Sequence, residues 1–176
     1  PICTNPCFNP MSHIITLTHN HGTLTPNTWL WLTDDQALPT TGDIIVSLAR
    51  YQTDETLKSH TGKLGVRIPN TLDIETEGAA LLHLPLIAVD FPGYRDGRAY
   101  SQARVLRSRL GYTGDIRAMG EVVRDQLQLM IRCGVSSYEL RADQDVAASL
   151  ASLHDFSAAY QASSDGFTPV LKQRLA

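Results

Sequence analysis

The sequence predicts an α/β fold, with about five βα units forming a mainly parallel sheet and an N-terminal β-hairpin ahead of them. Three observations carry this expectation. Short apolar runs recur at IIVSL (44–48), LGVRI (64–68), LIAVDF (86–91), DIRAMG (115–120) and SYEL (137–140). Segments of about 10–16 residues with helical periodicity separate them, the pattern of parallel strands joined by crossover helices. Ahead of these units, IITLT and TWLWL flank the turn signal HNHG and read as a hairpin over residues 13–32.

Each element has a local reason. Residues 1–11, PICTNPCFNPM, hold three prolines and two asparagines without periodicity, and read as a disordered tail. They lack the basic and apolar regions of a signal peptide. In the hairpin, Trp29 and Trp31 share one face, Leu30 and Leu32 the other. Residues 34–42 are a connector, and helices are expected at 50–60 and 72–83. The next helix, 96–110, places Ala99, Ala103, Leu106 and Leu110 on one face. Asp96 suits its N-cap and Gly111 the residue beyond its end. A helix at 121–133 stops at Gly134, and a last one at 144–160 carries a stripe of Val146, Leu150, Leu153 and Tyr160. The domain spans 12–162, and 163–176 reads as a flexible C-terminal tail. A closed barrel needs eight units and about 250 residues. Two arrangements therefore stay open: a three-layer open sheet, or an incomplete TIM-like barrel completed by the hairpin or by a second subunit, which would make a homodimer.

Composition excludes several classes. A net charge of −3 argues against nucleic-acid binding. No apolar run approaches the roughly 18 residues that cross a bilayer, so no membrane partner is expected and cytoplasmic location is the default. Cys3, Cys7 and Cys133 are too few for a disulfide framework or a four-thiolate cluster. Cys3/Cys7 and His19/His21 each lack the further ligands a metal needs, so no metal site is expected. Cys133, at the end of an apolar helix, reads as a buried inert thiol. Dinucleotide, P-loop and nucleophile-elbow motifs are absent from the sequence. The cofactor is therefore unknown.

Charge is unevenly spread. Residues 1–89 carry eight acids and four bases, 90–141 six acids and nine bases, and 142–176 four acids and two bases. The basic middle is all arginine, whose fork holds oxyanions bidentately. In either arrangement ligands bind at the carboxyl ends of the strands. There the chain offers Asp90 and Glu121 as candidate catalytic bases. Arg95, Gly97, Arg98, Arg117 and Arg124 are the candidate anion-binding residues, with Gly97 in the first turn of a helix. Arg117 is the weakest member because it lies inside a strand. The competing reading pairs these arginines with Asp90 and Glu121 and makes Asp96 a helix cap.

The stretch DFPGYRDGRAYSQARVLRSRLGYTGDIRAMGEVVRDQL, with RCGVSSYEL, the DQD at 143–145 and DFSAAYQ, resembles a bacterial family of unknown function. Its members are commonly labelled "oxidoreductase probably involved in sulfite reduction" and tend to be encoded beside sulfite reductase and other sulfate-assimilation genes. The resemblance covers about residues 12–162. The positions fitting its pattern are Asp90, Asp96, Gly97, Arg98, Ser101, Arg104, Gly120, Arg124, Asp125 and Gln126. Gly93-Tyr94 stand where the family usually has Lys-Phe. The resemblance implies an accessory or oxidoreductase-like role in assimilatory sulfite reduction, with sulfite reductase or another sulfate-assimilation enzyme as partner. Three cysteines cannot hold the redox centre itself. The alternative is a small anion-binding TIM-like enzyme acting on a phosphorylated or sulfur-containing metabolite.

Overall fold

A computed structural model describes residues 13–18, 21–156 and 158–175. The tail expected over 1–11, with Cys3 and Cys7, lies outside the described residues, as does His19. Among the described residues, eight strands form one sheet, accompanied by six α-helices.

The hairpin pairs β1 (His13–Thr18) with β2 (His21–Pro26), Thr18 standing opposite His21. Its return strand is therefore HGTLTP, and the expected TWLWL strand lies elsewhere. Trp29–Trp31 form β3, parallel to β4 (Asp43–Ser47) at the far edge of the sheet. The physical reason is burial. On β3 both indoles pack against Ile45, Leu86, Ala88 and Met119; on the polar hairpin they would face water.

From β4 the chain advances one strand at a time. Ser47 caps α1 (Leu48–Thr53), accepting from the Arg50 N–H at 3.0 Å. The helix expected over 50–60 breaks at Asp54, whose carboxylate accepts from the Thr56 N–H and starts a 3₁₀ turn. β5 (Leu64–Ile68) leads to α2 (Ile74–Glu77), capped by Asp73 and continued as a 3₁₀ turn. β6 (Leu86–Phe91) leads to α3 (Arg98–Ser108), which buries Ala99, Ala103 and Leu106. β7 (Asp115–Gly120) leads through a 3₁₀ turn to α4 (Leu127–Arg132), and Gly134 turns the chain at φ 94° into β8 (Ser137–Tyr138). α5 (Val146–Ser152) is capped by Asp145. It stops well before 160 because its stripe runs out of core. Leu153 is buried, whereas Tyr160 is 83% exposed. Residues 163–175, expected to be a flexible tail, carry α6 (Val170–Leu175) and are tied to α4 by an Arg132–Asp165 ion pair of 2.7 Å.

The strand order is β2-β1-β8-β7-β6-β5-β4-β3. β3 to β8 are mutually parallel and sequential, while β1 joins β8 antiparallel. A sequential order has no switch point, so right-handed crossovers put the helices that connect the parallel strands on one face. The three-layer alternative is thereby corrected. The sheet curls into a half-barrel, larger than five βα units. One continuous core packs Ile44, Val66, Ile87 and Ile116 against Leu106, Leu127 and Met130 of the helices. The small cluster on the opposite, concave face is built of strand residues alone.

Arg107 ties the lower end together. It donates to the carbonyls of Gly134 (2.9 Å), Tyr112 (2.6 Å) and Gly114 (2.7 Å), and to Ser136 Oγ (3.1 Å). Arg107→Ala would strand these acceptors and should lower unfolding free energy by about 2–4 kcal/mol, measured by urea titration.

Candidate functional site

Alternation along each strand decides what the concave face displays. Register aligns Ser47, Arg67, Ala88, Arg117 and Ser137 in one row across β4 to β8. The row nearer the carboxyl ends holds Asp90 opposite Met119, with Glu139 just past β8. The row beneath holds Ile45, Gly65 and Leu86, and then Asp115 opposite Leu86. Charged groups therefore sit on an inward surface that is apolar below β4 to β6 and acidic below β7.

Arg117 occupies the closed part of this face and is only 2% exposed. It donates to Ser137 Oγ (3.1 Å) and Asn27 Oδ1 (3.2 Å), pairs with Asp115 (3.4 Å), and lies 6.0 Å from the Trp29 ring centroid. Burial pulls its pKa down and the Asp115 carboxylate opposes this. Asn27 belongs to the connection running between β2 and β3, at opposite edges of the sheet. That connection roofs Arg117.

Arg67 occupies the open part. It is ion-paired with Asp90, and its guanidinium carbon lies 4.9 Å from the Trp31 ring centroid. Both charged groups line a cleft of about 370 Å³, with Trp31, Asp34, Ser47 and Pro69 among its walls. Glu139 follows β8, the strand beside that of Arg117. Its Oε2 is buried and has no hydrogen-bond partner among the described residues. Burial raises the Glu139 pKa, and Arg117 and Arg67 oppose the rise.

Of the sequence-derived candidates, Asp90 alone lines this cleft. Its partner is Arg67, not an arginine of the 95–98 loop. Glu121 sits on the loop after β7, where it accepts from Arg141 at 2.8 Å; Arg141 also clasps Asp143. Gly120 makes that loop possible: φ is 102°, and a Cβ there would lie 2.5 Å from the Phe91 carbonyl oxygen. Gly97 is the N-cap of α3, yet the first N–H, from Arg98, already meets Asp96 Oδ1 at 3.2 Å. Asp96 also binds the Arg98 guanidinium (2.6 Å) and the Asn70 amide (2.6 Å). Its own carboxylate thus fills the place an anion would take. Arg95 and Arg124 are exposed at the same end of the sheet, and their guanidiniums have no partner among the described residues. Arg117 lies inside the half-barrel, away from that rim.

Sequence reasoning passed over Arg67, Asn27 and Glu139. A signal existed for two of them. LGVRI and SYEL each put a charge at an inward position of an apolar strand, where desolvation makes an idle charge costly. Among the described residues no group of His, Cys, Asp and Glu could hold a metal ion. Cys133 is buried, and burial pushes its thiol pKa up, as for an inert core cysteine.

Residues 65–171 match a family described as bacterial protein of unknown function, DUF934. The chain belongs to this family. The matched span contains Arg67, Asp90, Arg117 and Glu139, while Asn27, Trp29 and Trp31 precede it. No curated protein and no solved structure matches the chain.

The Arg98 guanidinium and N–H hold the Asp96 carboxyl at about 2. A lowered pKa means that the stabilisation is complete above the ordinary carboxylate range and is lost as pH falls through about 2. Carbon-detected NMR titration should show Asp96 near that value in the wild type and higher in Arg98→Ala.

Proposed function

We propose that the protein is an accessory component of assimilatory sulfite reduction that binds a small sulfur oxyanion at the mouth of its half-barrel. The observation that carries this reading is the Arg67 guanidinium at the carboxyl end of a parallel strand, facing an open cleft against Trp31. In parallel α/β folds that end is where ligands bind. Arg67 is partly exposed and partly desolvated, so its fork can reach an incoming oxyanion and hold it strongly. Asp90 is its resting partner, and an anion would take over part of that pairing. The sulfur pathway enters through the family resemblance of the 90–126 motif and of SYEL, which contains Glu139. Three cysteines fall short of the thiolates that an iron–sulfur centre requires. The role is therefore supporting: presenting or buffering the anion for a redox partner in the cytoplasm.

The proximity of Asp90 to Arg67 favours a second reading, an enzyme acting on a phosphorylated or sulfur-containing metabolite. When the guanidinium turns to the substrate, Asp90 is released beside it and becomes the base. Glu121, engaged by Arg141, is not among the residues lining the cleft.

Two measurements check the proposal. Millimolar sulfite or phosphate should raise the melting temperature of the wild type, by up to about 2.7 kcal/mol of added stability at a hundredfold excess over Kd. Arg67→Ala should abolish the shift while remaining folded; an unchanged shift would sink the assignment. Affinity capture with the full chain should recover sulfite reductase or another sulfate-assimilation enzyme from native lysate, and recovery of neither would count against the accessory role.

A further inference from the structure

We infer that the cleft beside Arg67 takes a zwitterion of the α-amino-acid kind, with its carboxylate on Arg67, its ammonium on Asp34 and an apolar or thioether side chain along the walls. The inference rests on the proposed reading of Arg67 as the group that holds the ligand's anionic end. It begins from the charges that line one cavity. They are Asp34, Arg67 and Asp90, two carboxylates to one guanidinium. Asp90 is matched, because it pairs with Arg67. Asp34 accepts from the Ser47 hydroxyl at 2.6 Å and has no ion-pair partner among the described residues. The cleft therefore carries a carboxylate in excess.

Register brings these groups together. Ser47 at the end of β4 is the partner of Arg67 on β5, and Asp90 lies on β6 beyond it. Asp34 is thus anchored to β4, next to the strand that carries the guanidinium, and adjacent strands lie about 4.8 Å apart. Of the Arg67 nitrogens only Nη2 is engaged; Nε and Nη1 have no hydrogen-bond partner among the described residues, so donors remain for a carboxylate. Trp31, Leu48, Ala49 and Pro69 make much of the remaining wall apolar.

An inorganic oxyanion engages Arg67 alone. It brings further negative charge toward Asp34 and has nothing to bury against the apolar wall. An amino acid answers all three features at once, because its ammonium neutralises Asp34 and its side chain removes apolar surface from water. A thioether side chain joins this chemistry to the sulfur-containing metabolite of the second reading above.

The test is calorimetric titration of the full chain at neutral pH with L-methionine, 4-(methylthio)butanoate, sulfite and phosphate. The butanoate keeps the carboxylate and thioether of methionine and lacks only the ammonium. L-methionine should bind roughly ten- to hundredfold tighter than the butanoate, the worth of a hydrogen bond to a charged group. Asp34 is exposed, and in Asp34→Asn the amide oxygen can still accept from Ser47. That variant should narrow the ratio to within about threefold and leave the binding of inorganic anions intact. Equal affinities in the wild type, or an unchanged ratio in Asp34→Asn, would overturn the inference, and binding of sulfite or phosphate would then leave the oxyanion reading of Arg67 standing. Methionine binding that survives Arg67→Ala would overturn the placement of the carboxylate. Failure of every compound to bind would overturn both. If Asp34→Asn does not fold, the wild-type ratio decides.

Discussion

A guanidinium removed from water must be met on every side, and Arg117 imposes that requirement on the whole concave face. Asp115 on its own strand and Ser137 on the next supply part of the answer. The rest comes from Asn27, on the chain that passes from one edge of the sheet to the other. A buried charge that loses a partner costs about 3–5 kcal/mol, so these contacts are not interchangeable with water. They explain why β3 departs from the hairpin. The connection that roofs Arg117 leads the chain directly to the far edge, where Trp29 and Trp31 cover the inner surface of β4 and β6.

Much of the fold was legible because strands and crossovers leave a periodic trace. DIRAMG became β7 without adjustment, and LIAVDF became β6. The hairpin is present, but its return strand is HGTLTP and not TWLWL; both sit a short distance from IITLT. Local spacing does not distinguish the strand that folds back on β1 from the one that follows two residues later and pairs with β4. The 144–160 helix was overextended because Tyr160 continues the apolar spacing although it finds no core to join. Helical periodicity reports what could be buried, and the extent of the core decides what is.

The site was legible only in part, and arginine abundance was the reason. The many guanidiniums of the 90–141 segment drew attention to the outer rim. There Arg98 is committed to Asp96, and Arg141 to Glu121 and Asp143. Exposed pairs of this kind add little stability. Arg67 and Glu139 look unremarkable in sequence, each being one charge in a short strand. Strand alternation places both on the concave face, which the sequence does not reveal until the strands are ordered.

The pairing of Ile15 with Tyr138 brings opposite ends of the chain into one ladder. Contacts among β4 to β7 join near neighbours in sequence, whereas β1 must wait for β8 to exist and then close a very long loop. The hairpin and its Asn27 roof therefore settle late in folding. Until that ladder closes, Arg117 lacks the contact that Asn27 supplies. With so long a loop to close, β1 and β2 should open more readily than β4 to β7 and exchange their amide hydrogens faster.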